Sequence, residues 1–314
     1  MDELRLPSCL ESSQRVLVAG AGGGFDVYAG LPIYEHLRRR GKRVFLANLS
    51  FTNLRNTTAR ALSSALYAVD PCASGEELYF PERTLARVLS ERGDHATVYA
   101  FEKLGVVPVS EGYAHLARSL ELDAIVLVDG GTDVLLRGDE QNLGTPAEDM
   151  TSLASVAAVD VPTRIVACIG FGIDSYHGVC HANWLENVAG LSAEGAFLGA
   201  IALLRTMPEV ELYLDAVAVA ESGTMPQPTI VNASIASAIE GHFGDYHRGP
   251  RTRDSRLFIN PLMTLLWMFD LAAVARRNGY LHLLADTQTI WDVHLAISHF
   301  HSTVHHRPTQ SIPH

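Results

Sequence analysis

The sequence predicts an α/β protein with a Rossmann-like, three-layer architecture, in which helices cover both faces of a parallel sheet. Short apolar runs typical of buried strands alternate with helical periodicity over residues 14–175. Three of these runs end in loops rich in glycine and aspartate. Ligands bind beyond the carboxyl ends of the strands in open sheets of this kind. The loops therefore predict one site at one edge of the sheet.

The pattern becomes mainly helical after residue 180, which predicts a helical C-terminal elaboration. We expect one domain over residues 1–314, because no repeat or low-complexity linker interrupts the 314 residues. Its sheet core comprises about 14–175 and 255–262. The helical elaboration comprises about 180–250 and 261–304. The hydrophobic fraction of 47% suits a well-filled core and excludes disorder.

Each predicted strand is a short apolar run, and each predicted helix shows helical periodicity. Gly41 ends the first helix, and Thr145 is a candidate N-cap for a later one. The tail His305–His314 is expected to fray. The predicted strands are Arg15–Ala19, Arg43–Asn48, Thr97–Phe101, Ala124–Asp129, Thr163–Gly170 and Arg256–Asn260. The predicted helices are Tyr28–Arg40, Glu82–Glu91, Ser110–Leu120, Pro146–Val159, Trp184–Ala189, Ala193–Leu204, Pro208–Ala220, Ile230–Glu240, Pro261–Arg277 and Thr289–Ser302.

Charge and hydropathy exclude several classes of function. A net charge of −11 argues against nucleic-acid binding, which depends on Lys and Arg contacts to phosphates. The apolar stretches are too interrupted to span a membrane, and the N-terminus does not resemble a signal peptide. The four cysteines lack CxxC spacing, which argues against thiolate metal ligation or a disulfide framework. We therefore expect a cytoplasmic protein with a small-molecule ligand, and a homo-oligomer is possible.

The first loop begins at Gly20 and contains Gly22, Gly23 and Gly24. These glycines permit close backbone approach, and their amides precede a predicted helix N-terminus, an arrangement that suits an anion. Asp26 would repel a phosphate unless a cation lies between them. Asp26 is therefore either a helix N-cap or a ligand for a cation, an amine or a hydroxyl.

The first loop departs from the dinucleotide-binding fingerprint in two places. The third glycine of that fingerprint would fall at Phe25. The second strand ends in Asn48 instead of the Asp or Glu that holds a ribose. An NAD site is disfavoured on both counts.

The second loop reads Asp129-Gly130-Gly131-Thr132-Asp133. Gly130 and Gly131 leave room for a ligand, and Thr132 adds a hydroxyl. Asp129 and Asp133 could bind a hard cation, hold sugar hydroxyls or serve as base and acid. Two carboxylates at close range raise one pKa, which suits proton transfer. The alternative is a solvated Asx-type turn.

The third loop carries Asp174, His177 and His181. If Tyr176–Glu186 is helical, the two histidines share a face and could chelate a metal together with a carboxylate. Gly178 weakens such a helix. General acid–base catalysis, substrate hydrogen bonding and a purely structural role are the alternatives.

The chain resembles a family of bacterial and archaeal proteins catalogued only as a domain of unknown function. Its members carry a Gly-Ala-Gly-Gly-Gly-Gly-Asp loop and an Asp-Gly-Gly-Thr-Asp-Ser loop followed by Arg-Gly-Asp-Glu. The resemblance covers nearly the whole chain, implies no activity and breaks at Phe25 and Val134, which hints at an altered substrate. The matching positions are Gly20–Gly24, Asp26, Asp129–Asp133, Arg137–Glu140, Leu143–Pro146, Glu148 and Asp149.

Together these features predict an enzyme that acts on a small polar metabolite such as a nucleotide, nucleoside or sugar phosphate. Carboxylates and histidines without a cofactor fingerprint favour hydrolysis or group transfer over redox chemistry. Asp26, Asp129 or His177 would move the proton, and a divalent metal is possible. The alternative is a non-catalytic ligand-binding or regulatory protein, and a third option is a structural subunit of a larger assembly.

Overall fold

The computed structural model describes residues 4–75, 79–222 and 229–312. Within these residues one sheet of nine strands forms the centre of the molecule. Its strands are β1 Arg15–Gly20, β2 Arg43–Leu49, β3 Arg60–Ala61, β4 Leu66–Val69, β5 Val98–Phe101, β6 Ala124–Gly130, β7 Thr163–Ile169, β8 Phe197–Ala202 and β9 Leu265–Asp270.

The strand order is β3-β4-β5-β2-β1-β6-β7-β9-β8. The central strands β5, β2, β1, β6 and β7 are parallel, and antiparallel pairs extend the sheet at both sides. The Rossmann-like α/β prediction is confirmed, with the refinement that the sheet is mixed. Among the described residues, no helix is both long and apolar enough to cross a membrane.

Helices cover both faces of the sheet, so the central strands are apolar on both sides. In β1, Val16 and Val18 face one core, and Leu17 and Ala19 face the other. The first core is covered by α1 Ser8–Ser12, α2 Asp26–Ala29, α3 Leu31–Arg39, α4 Pro81–Glu91, α8 Pro208–Ser222 and α9 Ile230–Ile239. The second is covered by α5 Val106–Ser119, α6 Pro146–Ala157, α7 His181–Ala193, α10 Leu271–Arg277 and α11 Ile290–Thr303.

The connectivity places a topological switch point between β1 and β6. The chain leaves β1 for β2 and β5 on one side, then returns to β6 on the other. The two strands are parallel, with Gly20 opposite Val128. The loops that follow β1 and β6 therefore leave the same edge of the sheet side by side, where open α/β sheets bind ligands.

Two strands lie where the sequence predicted helix. β8 falls within the predicted helix Ala193–Leu204, and β9 within Pro261–Arg277. Gly195, at φ +70°, follows the end of α7, and β9 then pairs with β7 through Phe269 opposite Val166. A short apolar run fits a buried strand or a helix equally well, so pairing decided between them.

The predicted strand Arg256–Asn260 is wrong as a member of the sheet. Among the described residues, the β-type pairing of this segment consists of one isolated bridge between Ile259 and Gly244. Asn260 instead accepts a hydrogen bond from the Leu262 amide at 3.0 Å and begins a short 3-10 helix. The C-terminal elaboration thus contributes strands β8 and β9 to the sheet, whereas residues 255–262 do not. Strands β3 and β4 were not predicted.

Gly30 brings the helices that follow β1 close to the sheet. It separates α2 from α3, and a side chain there would clash with Val18 Cγ1 and lie 3.3 Å from Val128 Cγ2. The predicted continuous helix Tyr28–Arg40 is therefore two helices. Gly30, and not position 25, supplies the close helix–sheet approach that the dinucleotide fingerprint assigns to its third glycine.

We expect Gly30→Ala to lower the free energy of unfolding by about 1–3 kcal/mol, because an added methyl overpacks Val18. Denaturant unfolding would measure it. Gly249→Ala is the matched control, since open space surrounds Gly249 and its φ is negative. Equal stability of the two variants would contradict the close approach at Gly30.

Candidate functional site

The three glycine–aspartate loops meet at the switch point. A methyl group added at Gly131 would lie 3.0 Å from Asp129 Oδ1 and 3.2 Å from Asp174 Oδ1. One added at Gly130 would lie 3.0 Å from Asp26 Oδ1. The second loop is therefore in close contact with both of the others. Its glycines accommodate neighbouring carboxylates, a role that differs from the ligand space that the sequence predicted.

A fourth segment adds a carboxylate that the sequence-based site did not include. Asp149 lies in the first turn of α6 and is only 2% exposed. A methyl group on Gly22 would lie 2.9 Å from Asp149 Oδ1 and 2.8 Å from Asp26 Oδ2. The available signal was a Glu-Asp pair in the first turn of a predicted helix, within the stretch that matched the family pattern.

Five carboxyl side chains thus form one carboxylate cluster, comprising Asp26, Asp129, Asp133, Asp149 and Asp174. All but Asp26 are at most 8% exposed, and Asp26 is partly buried. One oxygen each of Asp26, Asp129 and Asp149 lie within 4.8 Å of one another. Unlike a solvated turn, this arrangement removes several acidic groups from water at the same point.

Backbone and hydroxyl donors orient four members of the cluster. Asp26 Oδ2 accepts from the Gly22 amide at 2.6 Å, and Asp129 Oδ2 accepts from the Val134 amide at 3.2 Å. Asp133 Oδ2 accepts from the amide of Thr145 at 2.7 Å and from its hydroxyl at 3.3 Å. Thr145 occupies the N-cap position of α6, as predicted, but its side chain bonds to Asp133 and makes no capping bond to the helix.

Asp174 and Asp149 differ in their hydrogen bonding. Asp174 Oδ2 accepts from the Thr132 amide at 2.7 Å and from the Thr132 hydroxyl at 3.0 Å. Thr132 therefore orients a carboxylate. Within the described part of the chain, Asp149 Oδ1 is buried without a hydrogen-bond partner. A buried acceptor in this state costs free energy until a ligand meets it.

Desolvation raises the pKa of every carboxyl group in the cluster. For Asp129, Asp149 and Asp174 the pKa lies well above its ordinary value, because neighbouring carboxylates add repulsion to burial. Burial also raises the pKa of Asp133, against the hydrogen bonds from Thr145, and raises that of Asp26 to about 7. These carboxyl groups consequently hold their protons to higher pH than isolated aspartates do.

Two amides of the first loop are already hydrogen-bonded within the protein and are not free to bind an anion. The Gly22 amide is taken by Asp26, and the Gly24 amide donates to the Leu49 carbonyl at 3.0 Å. Carboxylate oxygens of Asp26 and Asp149 flank Gly22. The local charge therefore favours a cation. Asp26 is the first residue of α2 and bonds back to Gly22, so it closes the loop on itself, unlike an N-cap.

The two histidines do not share a helical face. A 3-10 helix covers Ile173–His177, Gly178 adopts φ +80°, and α7 begins at His181. The helix over Tyr176–Glu186 on which the predicted chelating pair depended is therefore absent, because the chain breaks at Gly178. His177 is exposed, and it lies near enough to Asp133 to lower the pKa of that carboxyl group. His181 packs on Phe171 with ring centroids 5.1 Å apart.

The two departures from the family pattern point away from the cluster. Phe25 is buried against Tyr28 and Tyr79 with ring centroids 5.2 and 5.8 Å apart, and Val134 packs in the core around α6. Neither side chain is aimed at the five carboxylates. The hint of an altered substrate from these positions therefore finds no support in their packing.

Asn48 and Glu82 form a buried pair that holds the backbone of the first loop. Asn48 Nδ2 donates at 2.8 Å both to the Gly24 carbonyl and to Glu82 Oε1. Both side chains are fully buried, and desolvation raises the pKa of Glu82 to about 7. Asn48 stands where a dinucleotide-binding protein has the Asp or Glu that holds a ribose. In this structure its side chain instead holds the backbone of the first loop.

The C-terminal segment closes over the loop that follows Asp133. Arg307 contacts Glu140 Oε1 at 2.5 Å, Asp139 Oδ1 at 2.9 Å and Glu186 Oε2 at 2.5 Å. Glu140 is 1% exposed and also accepts from the Arg137 and Gly138 amides. The expectation of a frayed tail is wrong at Arg307, although residues 313–314 lie outside the described part.

Glu82 makes stability depend on pH. Its folded pKa of about 7 lies above the ordinary 4.5, so the native state binds the proton more tightly. The free energy of unfolding should fall as pH rises through that window. We expect Glu82→Gln to be more stable than the parent at pH 8 by up to about 3 kcal/mol, with the difference vanishing near pH 4.5. Paired denaturant curves at the two pH values measure this. Glu111→Gln, on the exposed face of α5, is the control and should show no such trend.

Arg307→Met should lower the free energy of unfolding by about 3 kcal/mol, because it leaves Glu140 buried without its cation. Chemical denaturation would measure the change. The control is Arg276→Met, whose side chain is 66% exposed and whose partner Glu194 lies 3.7 Å away. That variant should stay within about 0.5 kcal/mol of the parent. Similar losses in both variants would contradict a special role for Arg307.

Comparison with known proteins identifies a family but no activity. No curated protein and no solved structure matches the chain. A family model described as protein of unknown function, DUF1152, matches residues 49–303. The match includes the second and third loops and Asp149, and it begins after the first loop. The chain therefore belongs to the DUF1152 family of proteins of unknown function.

Proposed function

We propose that this chain is an enzyme that hydrolyses, or transfers a group of, a small polar metabolite in the crevice at the switch point. The substrate classes that fit are nucleotides, nucleosides and sugar phosphates. The observation that carries the proposal is the convergence of five aspartates, from four separate segments, at the ligand-binding edge of an α/β sheet.

Acid–base chemistry needs carboxyl groups that hold a proton at higher pH than an isolated aspartate does, and the carboxylate cluster offers such groups. Desolvation raises the pKa of each member, and repulsion from neighbouring carboxylates adds to the effect at Asp26 and Asp129. Clusters of perturbed groups in a cleft are typical of catalytic sites.

Asp129 is our candidate for the essential carboxylate of the reaction. It lies at the carboxyl end of the buried strand β6, at the switch point, and burial together with repulsion from Asp133, Asp26 and Asp174 raises its pKa. Thr145 and Thr132 orient Asp133 and Asp174 respectively. These two are suited to hold hydroxyl groups of the substrate, and the exposed His177, which lies near Asp133, is available to move a proton.

A cavity of about 300 Å³ beside the first loop would hold the remainder of the substrate. Phe51 lies against Gly23 and Gly24 and is 47% exposed, so its ring is available for stacking. Lys103 Nζ lies 5.0 Å from the centre of that ring and 2.6 Å from Glu148 Oε1. An aromatic face next to an ammonium group suits a base or sugar that carries a phosphate.

The competing function is a non-catalytic ligand-binding or regulatory protein that uses the same crevice. It is favoured by the occupied amides of the first loop, which limit direct contact with an anion. The effect of neutralising Asp129 distinguishes the two functions.

Asp129→Asn should reduce turnover by at least about 100-fold, because it removes the essential carboxylate and keeps the shape of the side chain. Purified protein would be incubated with nucleotides, nucleosides and sugar phosphates, and substrate loss followed by mass spectrometry. Asp160→Asn, at an exposed loop position, is the matched control and should turn over normally. Equal activity of Asp129→Asn and the parent would contradict the assignment. Ligand binding without turnover in any mixture would favour the binding protein.

A further inference from the structure

Three acidic side chains of the carboxylate cluster lie close together with few hydrogen-bond donors. Asp26, Asp129 and Asp149 approach one another from α2, β6 and α6, with one oxygen of each inside a 4.8 Å span. The donors at these three side chains include the Gly22 and Val134 amides, one each to Asp26 and Asp129. Lys103, the ammonium at the rim, pairs with Glu148.

The three oxygens lie close enough together to share one hard divalent cation. Such ions bind oxygen ligands at about 2.0 to 2.6 Å, so two oxygens on one ion are at most about 5 Å apart, and these three lie within 4.8 Å of one another. Carboxylates are the ligands that Mg²⁺, Mn²⁺ and Ca²⁺ prefer. The three aspartates therefore offer suitable atoms within reach of one ion.

An independent observation points to an occupant. The Asp149 side chain is only 2% exposed, and its Oδ1 has no hydrogen-bond partner within the described chain. That oxygen faces the space over Gly22, where Asp26 Oδ2 also lies. A carboxylate oxygen buried in this manner ordinarily has a donor or a metal ion.

Glycine keeps that space open. A methyl group at Gly22 would lie within 2.9 Å of oxygens of both Asp26 and Asp149, and one at Gly130 would lie 3.0 Å from Asp26 Oδ1. Any larger residue at either position would push these carboxylates apart. The first and second loops thus keep three acidic groups close together, which is costly without a cation between them.

We propose that Asp26, Asp129 and Asp149 form a binding site for one hard divalent cation of the Mg²⁺ or Mn²⁺ class. The inference deepens the proposed function, since it names what the crevice holds beside the metabolite. A cation here also reconciles an acidic cluster with a phosphorylated substrate, because it would contact both the aspartates and the phosphate oxygens.

The test uses Mn²⁺ alone and needs no substrate. Full-length protein is treated with chelator and titrated with Mn²⁺ at pH 8, and free Mn²⁺ is followed by the electron paramagnetic resonance signal of the aqueous ion. We expect one bound Mn²⁺ per chain. Asp149→Asn should weaken the affinity by at least about tenfold, since even outer-shell changes have that effect on metal sites. Asp160→Asn, the exposed control, should bind as the parent does.

Folding is measured on the same samples. Metal-free Asp149→Asn should melt at or above the temperature of the metal-free parent, because the substitution removes a charge that its neighbours repel. Asp26→Asn is the second variant, and it should weaken Mn²⁺ binding in the same way. No Mn²⁺ binding by the parent, or unchanged binding by both variants, would overturn the cation site.

The two proposals fail in different ways. A parent that binds Mn²⁺ but converts nothing in the metabolite panel contradicts the enzymatic function and supports the cation site. A parent that turns over a metabolite but binds no Mn²⁺ contradicts the cation site and supports the enzymatic function.

Discussion

The rest of the site depends on one electrostatic constraint, the burial of five carboxyl groups at the switch point of the sheet. Desolvation alone disfavours each charge, and their proximity multiplies the effect. The fold compensates locally with backbone amides and threonine hydroxyls, as at Asp133 and Asp174. Asp149 Oδ1 is left without such a donor. This residual imbalance is what the proposed cation would relieve.

The glycines of the first and second loops make the close packing of these carboxyl groups possible. In phosphate-binding loops, glycine lets a ligand approach backbone amides. Here Gly22, Gly130 and Gly131 let carboxylates approach the backbone and one another. A loop of similar sequence therefore presents the opposite electrostatic surface. Composition alone does not distinguish the two, because the difference depends on which side chains arrive from other segments.

Polar contacts outside the cluster hold its loops in place. Asn48 and Glu82 hold the Gly24 carbonyl from below, and Arg307 secures Glu140 from the C-terminal segment. These residues lie far apart in sequence. Each is buried or partly buried, so each also contributes to whether the loops keep the geometry that chemistry at Asp129 would require.

The α/β class, the parallel centre of the sheet and the three loops at its edge could be predicted from the sequence, because buried strands and glycine–aspartate turns are local patterns. It could not decide between helix and strand at β8 and β9, whose apolar runs fit both until they pair. The position of Asp149 in the carboxylate cluster likewise depended on tertiary structure, as did the hydrogen bonds that occupy the amides of the first loop. Which atoms meet at a switch point is set by how distant segments pack, and that information is not local.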